Sequence, residues 1–281
     1  ELENSIKRFC PTHIIFGGYR LKFTQYIKNL IKGKNIRYYY NLERLNKKEK
    51  FKFLIVNYFL KKILKNANGI ISIGEEAKKF YKRYNKNVSN IPYSINVSKF
   101  KKKKLINKNK VNFLFVGQLI YRKGFDMILN ILKNHKYEQF NLNIVGEGPY
   151  RDQIIELSKK FKNIKYFNFQ NKKELKKIYL SNDVLIFPSR FDGWGVVALE
   201  AMNYNLAIIS SMNVGVKEVF PKEKILIKPK ISKLYNKIEK LMKNKKLVIK
   251  LGNNNKKSLI NSLCNSKVAI RHFSNFIKNE K

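Results

Sequence analysis

The chain has 281 residues, which is enough for two modest α/β domains or for one large one. Apolar residues make up 44% of it, which argues against disorder throughout the chain. Sixty Lys and Arg against nineteen Asp and Glu give a net charge of +41, which attracts polyanions such as nucleic acid, anionic lipid or nucleotide phosphate. We expect many of these lysines to be ordinary solvated surface.

Two further features bear on the compartment. The sequence has no run of about 18 to 20 uncharged apolar residues and no signal-peptide pattern, so we expect a cytoplasmic protein or a peripheral one. Its two cysteines, Cys10 and Cys264, lie near opposite ends without metal-ligand spacing. They are therefore expected to be ordinary thiols in a reducing compartment.

In the first part of the chain, β-prone runs alternate with segments whose apolar residues recur at helical spacing. We predict strands at 13–18, 36–40, 69–74 and 88–93, and helices at 21–31, 50–64 and 75–84. Residues 94–109 are polar and lysine-rich with no steady period, which makes them the best linker candidate.

The alternation is cleaner beyond this linker. We predict strands at 111–116, 142–145, 164–169, 184–187, 207–210 and 225–227, and helices at 125–133, 151–161, 174–180, 195–202 and 231–243. Uniformly apolar strands that alternate with helices indicate a parallel sheet covered on both faces. The predicted fold class is therefore α/β, with two Rossmann-like doubly wound domains. The predicted boundaries are 1–98, 99–262 and a C-terminal helix, 263–281, that can pack back on the first domain.

Ligands of doubly wound sheets bind in the loops at the carboxyl ends of the strands. The first candidate loop, 117–124, offers glycines that permit close backbone approach. Its Arg122 and Lys123 could neutralise a diphosphate, or they could be two solvated cations on an ordinary surface loop. In the second loop, 146–149, Gly146 and Gly148 flank an acid. This pattern mainly predicts a tight turn. The alternative is that its backbone amides also lie near a nucleotide base.

The third loop, 187–195, gives the strongest signal because it leads directly into the predicted helix 195–202. The free amides at the start of a helix form a ready anion site. Asp192 before this helix and Glu200 along it could each bind hydroxyls, one set on a sugar and one on a ribose. Glu200 could instead face solvent, but its apolar neighbours leave little polar face, and a buried acid needs a donor such as a ribose diol.

Together these residues resemble glycosyltransferase family 4, the retaining nucleotide-sugar enzymes with a two-domain GT-B fold. The resemblance covers about residues 11–220, and its motifs occur in the family's order. These motifs are 90–96, 116–119 with 122–124, 145–149 and 181–189, followed by the acids Asp192 and Glu200 eight positions apart. The first of them, 90–96, is similar to the hinge before the second domain.

The resemblance implies a role for each matching position. Arg122 and Lys123 would hold the donor diphosphate and stabilise the leaving charge, and Asp192 would contact the donor sugar as the third catalytic residue. Glu200 would bind the ribose. The remaining implied donor-binding positions are Gly117, Gln118, Gly146, Gly148, Ser189, Gly193, Trp194, Gly195 and Val196. The family's attack on the same face of the sugar implies retention, with no metal and no cofactor besides the nucleotide-sugar donor.

The chain departs from the family pattern in three places. The first acid is usually Glu, and the form Asp192-Gly193-Trp194-Gly195 resembles a subgroup associated with bacterial surface polysaccharides. The family's first-domain histidine has no match, because 16–19 occupies its turn and His13 falls inside a predicted strand. The family's glycine-rich loop after its first strand is also missing, which implies a truncated acceptor-side domain in 1–98.

We therefore predict a retaining hexosyltransferase that moves a sugar from a nucleotide-sugar donor to a glycan or lipid-linked acceptor in capsule or lipopolysaccharide synthesis. Its polybasic surface would favour the inner face of the cell membrane. One alternative is a non-catalytic or truncated nucleotide-sugar-binding relic of the same fold. Another is a nucleic-acid-binding protein, suggested by the charge and sixteen tyrosines, although residues 38–40 are predicted to be core rather than a stacking platform.

Overall fold

The structure is a computed structural model that describes residues 2–18, 21–45, 50–99, 110–134 and 141–278. Most of the predicted linker 94–109 lies outside these ranges. The chain divides into two compact units, Glu1–Pro92 with His272–Lys281, and Tyr93–Arg271.

The first unit is built on a parallel four-stranded sheet of order β1-β2-β3-β4. Its elements in chain order are α1 (Leu2–Phe9), β1 (His13–Gly17), α2 (Leu21–Ile31), β2 (Arg37–Glu43), α3 (Lys50–Leu64), β3 (Gly69–Ile73), α4 (Glu75–Tyr81) and β4 (Val88–Asn90). Tyr39 and Tyr40 are fully buried in it, which confirms that they belong to the core. These two rings are therefore not available to a nucleic-acid stacking platform.

The second unit is built on a parallel six-stranded sheet of order β10-β9-β8-β5-β6-β7. Its elements are β5 (Asn112–Val116), α5 (Phe125–Asn134), β6 (Asn141–Val145), α6 (Arg151–Lys160), β7 (Ile164–Phe167), α7 (Lys172–Leu180), β8 (Val184–Phe187), α8 (Val196–Asn203), β9 (Ala207–Ser211), β10 (Ile225–Ile227), α9 (Ile231–Lys243) and α10 (Lys245–Ile260). Every residue of β8 and β9 is buried, as expected for central parallel strands covered on both faces. The predicted α/β class with two parallel-sheet domains is confirmed.

The order of this sheet positions its functional edge. β5 pairs with β6 on one side and with β8 on the other, so the direction of winding reverses between β5 and β8. The connections that leave these two strands therefore diverge, which opens a crevice at their carboxyl ends. The loops 117–124 and 188–195 flank this switch point.

The boundary between the units lies at Pro92 and Tyr93, whereas the sequence places it at 98 and 99. Residues 93–99 belong with the second unit because they hydrogen-bond to it. The amide of Ile95 donates to the Cys264 carbonyl at 2.9 Å, and the amide of Ser98 donates to Asn203 Oδ1 at 2.9 Å.

The last helix, α11 (Ser266–Lys278), contributes its second half to the first unit. There the Phe276 ring meets the Tyr39 ring edge-on at 5.9 Å, and His272 Nε2 lies 3.1 Å from Ser89 Oγ. Sequence analysis places the boundary of this helix at 262 and 263, and the division between the units lies inside α11, between Arg271 and His272.

Local chemistry explains two smaller differences. The helix predicted at 174–180 begins at Lys172, because Asn171 caps it by accepting from the amides of Lys173 and Glu174. The helix predicted from residue 195 begins at Val196, because Gly195 adopts a φ of 109° outside the helical region. Among the described residues, no helix is both long and apolar enough to cross a bilayer.

Candidate functional site

The centre of the candidate site is an ion pair between the two loops at the switch point. Lys123 Nζ lies 2.6 Å from Asp192 Oδ2, although the residues are 69 positions apart. Their side chains are only 19% and 13% exposed. The pair is therefore less screened by solvent than an exposed pair, and it places one cation and one anion together in the crevice.

Arg190 makes a second link between the same loops. Its guanidinium forms two hydrogen bonds to the Asp126 carboxylate, at 2.6 and 2.8 Å, and lies 3.7 Å above the centre of the Tyr121 ring. The hydrogen bonds to Asp126 raise the pKa of Arg190 further above its ordinary value. Sequence analysis did not single out Arg190. The one sequence feature that could have indicated its role is Asp126, an acid in the first turn of α5.

Arg122 also contacts the third loop, but through the main chain. Its Nη1 donates to the Phe191 carbonyl at 3.2 Å, and its own carbonyl accepts from the Arg190 amide at 2.8 Å. The side chain is otherwise exposed, so Arg122 lies at the rim of the site and Lys123 lies deeper.

Glycines allow the second loop to support the first. A Cβ on Gly146 would overlap the carbonyl oxygen of Gly117, and Gly146 has a φ of 140° that also favours glycine. The Leu119 amide donates to the Glu147 carbonyl at 2.8 Å. Gly146 and Gly148 thus contribute close packing of backbone against the loop that carries Lys123.

The loop after β9 supports the third loop in the same way, and sequence analysis missed it. The Asp192 amide donates to the Asn213 carbonyl at 3.2 Å, and the Val216 amide donates to the Trp194 carbonyl at 2.9 Å. A Cβ on Gly215 would overlap the Gly193 carbonyl oxygen. The one available signal was that Gly215 follows a buried strand, as Gly117 and Gly146 do.

Helix α8 begins directly behind these loops. Amides at the start of a helix have no partner within it, so those of Gly195, which precedes α8, and Val196 can bind an anion. Ser189 and Trp194 are buried here, and Ser189 Oγ and Trp194 Nε1 have no hydrogen-bond partner among the described residues. The Trp194 side chain is 1% exposed and therefore offers no exposed ring face to a ligand.

Glu200 lies farther along α8 and is half-buried. Its Oε2 accepts a hydrogen bond from the Tyr179 hydroxyl at 2.8 Å, and the Tyr179 ring stacks on Tyr204 at 5.6 Å. Burial raises the pKa of Glu200, while the Tyr179 hydrogen bond and the charge of Lys172 oppose that rise. Glu200 is thus a positioned acid with a neutral donor partner, rather than a solvent-facing one.

The predicted site residues fall into three groups by exposure. Exposed ones are Gln118, Arg122 and Val196; half-buried ones are Gly117, Lys123, Gly146, Gly148, Asp192 and Glu200; buried ones are Ser189, Gly193, Trp194 and Gly195. The structure brings Lys123 directly onto Asp192, and it joins the loops that carry the other residues through backbone contacts. Among the described residues, no group of three or more His, Cys, Asp and Glu could hold a metal ion.

The family described as glycosyl transferases group 1 matches residues 96–258, which is more than half of the chain. The chain belongs to this family. Its match covers the six-stranded sheet and all of the loops described above, so the glycosyltransferase assignment rests on the unit that contains the candidate site.

Several of the similar curated proteins are bacterial. An uncharacterized 41.2 kDa protein in the cps region of Klebsiella pneumoniae is 34% identical over 114 residues, which is 41% of this chain and 31% of that protein. The amylovoran biosynthesis glycosyltransferase AmsD of Erwinia amylovora is 34% identical over 98 residues, 34% of this chain and 28% of that protein. The chain therefore spans about a third of the length of these relatives.

Among solved structures, Alr3699/HepE of Anabaena, in complex with UDP and glucose, aligns with a TM-score of 0.79 at 13% identity. The alignment covers 99% of this chain and 81% of that one. Likeness at this identity shows the fold, and it identifies the architecture as the GT-B fold of glycosyltransferases.

Proposed function

We propose that the unit Tyr93–Arg271 binds a nucleotide-sugar donor and that the protein is a retaining hexosyltransferase. The observation that carries the proposal is the Lys123–Asp192 pair, 2.6 Å apart at the switch point and beside the first turn of α8. A cation, an acid and free helix amides are the groups that a diphosphate attached to a sugar requires.

Each residue has a distinct task in this proposal. Lys123 and Arg122 hold the diphosphate, together with the amides of Gly195 and Val196. When the phosphate arrives, the Lys123 ammonium exchanges part of its interaction with Asp192 for a phosphate oxygen, which frees the Asp192 carboxylate to accept hydrogen bonds from sugar hydroxyls. Glu200 receives the ribose hydroxyls while Tyr179 holds its other oxygen in place.

The main-chain groups around the crevice complete the donor site. Gly117 and Gln118 approach the sugar and phosphate from the first loop, and Gly146 and Gly148 hold that loop close. The buried Ser189 and Trp194 belong to the third loop, and Gly215, which has no side chain, lets the Gly193 carbonyl of that loop pack tightly against the loop after β9.

The chemical step that we propose needs no metal and no further cofactor. The bond between the anomeric carbon and the phosphate oxygen breaks, and the acceptor oxygen bonds to the same face of the sugar, so the configuration is retained. The acceptor proton passes to an oxygen of the leaving diphosphate. Lys123 and Arg122 stabilise the negative charge that grows on that diphosphate, which is the kind of electrostatic contribution that is largest in such transfers.

The comparisons support a bacterial polysaccharide pathway for this activity. The names of the two curated relatives refer to a cps region and to amylovoran biosynthesis, and the Anabaena structure contains UDP and glucose. We therefore propose capsule or lipopolysaccharide synthesis, a glycan or lipid-linked acceptor, and membership in the Asp-Gly-Trp-Gly subgroup. UDP-glucose is the first donor to test.

The direct test is a thermal-shift and calorimetry screen of this chain against UDP, GDP, ADP, CMP and their sugars. We expect micromolar binding of one nucleotide, lost in the Asp192→Ala/Glu200→Ala variant. The matched control is Asp152→Ala/Glu223→Ala, which removes two acids whose side chains are 94% and 54% exposed. If no nucleotide binds, the proposed donor site is wrong. If a donor binds and no sugar is transferred, a non-catalytic nucleotide-sugar-binding relic of the same fold is favoured.

The net charge of +41 supports a peripheral position on the inner face of the cell membrane, where a lipid-linked acceptor would lie. Cosedimentation with phosphatidylglycerol vesicles at low salt tests this part of the proposal. Absence of the protein from the vesicle pellet would contradict it.

A further inference from the structure

The first unit contains a basic cavity that the proposed donor site does not use. Its volume is about 590 Å³, and it lies where α3 and α4 end, before β3 and β4 begin. The amino ends of these strands form the edge of the sheet opposite to the carboxyl ends, where doubly wound folds bind their substrates. This cavity is therefore separate from the expected substrate edge of its own sheet.

Five of the eight residues that line the cavity are cationic, and none is acidic. The cations are Lys61, Lys65, Lys82, Arg83 and Lys86. Within the described part of the chain, none of the five forms an ion pair. The acids at the other end of α4 have partners elsewhere, since Glu76 pairs with Arg44 at 2.7 Å and Glu75 accepts from Asn90 at 2.8 Å.

Hydrogen bonds to the main chain fix the cavity's shape. Asn85 Nδ2 donates to the carbonyls of Leu64 and Ala67, at 2.9 and 2.8 Å, and so ties the turn after α3 to the turn after α4. The Tyr84 hydroxyl contacts Asn57 Oδ1 on α3. The two groups of cations are thus held on a single backbone frame rather than on independent loops.

The helix ends explain why so many cations can gather here without acidic partners. Lys61 lies in the last turn of α3, and Lys82 caps α4. Helix C-termini carry partial negative charge, which favours nearby cations. That charge is too small to neutralise five ammonium and guanidinium groups, so an anion with several charges gains more here than at a scattered surface lysine.

We propose that this cavity binds a ligand with two or more phosphate groups. Lys61 and Lys65 would contact it from the end of α3, and Lys82, Arg83 and Lys86 from the end of α4. Phosphates on a soluble molecule and phosphates in an anionic lipid headgroup share this chemistry. The proposal is independent of the donor site in the second unit.

The test uses the full chain carrying Arg122→Ala/Lys123→Ala, so that the donor site does not contribute phosphate binding. Calorimetry with tripolyphosphate at physiological ionic strength measures the soluble source. Cosedimentation with vesicles of phosphatidylglycerol and phosphatidylcholine in equal amounts measures the lipid source. The test variant is Lys61→Gln/Lys82→Gln/Lys86→Gln, and the matched control is Lys233→Gln/Lys240→Gln/Lys246→Gln, which removes three exposed cations from α9 and α10.

We expect the test variant to weaken binding of at least one probe by about tenfold or more, and the control by less than about threefold. A loss confined to tripolyphosphate assigns a soluble ligand, and a loss confined to vesicles assigns a lipid headgroup. Equal losses in the two variants, or no binding of either probe, would overturn the proposal. All six substituted side chains are exposed, and the thermal midpoint of each variant checks that the fold is intact.

Discussion

The Lys123–Asp192 pair contributes to stability as well as to the proposed chemistry. Replacing Asp192 by Asn leaves the Lys123 ammonium in a site that is 19% exposed without its anion. We expect Asp192→Asn to lower the free energy of unfolding by about 1–3 kcal/mol, measured by urea denaturation. In contrast, Glu174→Gln breaks the exposed pair with Lys177 and is expected to cost less than about 0.5 kcal/mol. Equal effects would show that the crevice pair is solvated like a surface pair.

Glu200 is expected to trade stability for ligand binding. Burial raises the pKa of Glu200 in the folded protein, so its ionisation is harder there than in the unfolded chain. The folded protein is therefore more stable while Glu200 is neutral. This contribution to the free energy of unfolding is fully present below the ordinary carboxyl pKa and is lost as pH rises through the raised pKa. Glu200→Gln should therefore raise the thermal midpoint at neutral pH and have little effect at low pH.

The same substitution keeps an oxygen that can accept from Tyr179, but it removes the charge that strengthens hydrogen bonds to ribose hydroxyls. We expect nucleotide affinity to fall by about tenfold. A variant that loses stability at neutral pH, or that binds nucleotide as tightly as before, would contradict the proposed role of Glu200.

At the scale of secondary-structure elements, the connections after β8 and β9 behave as one packed layer. A side chain at Gly215 would collide with the Gly193 carbonyl and lie 3.0 Å from the Trp194 ring. We therefore expect Gly215→Ala to destabilise the second unit by about 2 kcal/mol and to abolish nucleotide binding. Gly17→Ala is the control, because Gly17 also lies at the carboxyl end of a strand and its Cβ would meet nothing within 4 Å. Unfolding followed by circular dichroism measures both variants.

The sequence predicted the elements of the second unit well because its strands are mostly apolar, and because β5 and β6 are followed directly by Gly117 and Gly146. The loops after β5 and β8 could be singled out because one carries Arg122 and Lys123 beside glycines and the other places Asp192 just before a helix. The contacts between these loops could not be predicted, because Arg190 and Asp126 are 64 positions apart and are brought together only by the order of the strands in the sheet. A sequence pattern reports local periodicity and contains no information on which strands become neighbours.

A buried lysine gives a second example of what the pattern hides. Lys256 is 8% exposed in α10, and its ammonium donates to the carbonyls of Ser98 and Asn203 at 2.9 and 2.6 Å. Burial lowers the pKa of Lys256 to about 8. In a chain with sixty Lys and Arg, nothing in the local sequence separates this lysine from the solvated majority.

At the scale of the whole molecule, each unit has a hydrophobic core of its own. Tyr40, Leu60 and Ile70 belong to the core of the first unit, and Phe113 and Ile186 belong to that of the second. Separate cores allow separate unfolding transitions, so a single midpoint need not describe this chain. The chain also carries its own reporter, since its one tryptophan, Trp194, is buried in the second unit beside the candidate site.

Two probes can therefore separate the response of each unit to a ligand. Trp194 fluorescence follows the second unit, and far-ultraviolet circular dichroism follows both. A nucleotide that binds the second unit at a hundred times its Kd should stabilise it by about 2.7 kcal/mol. We expect the fluorescence transition to move to higher urea, by this free energy divided by the m-value, while part of the dichroism transition stays in place. If both signals move together, the two units unfold as one cooperative body, and the donor site stabilises the whole chain.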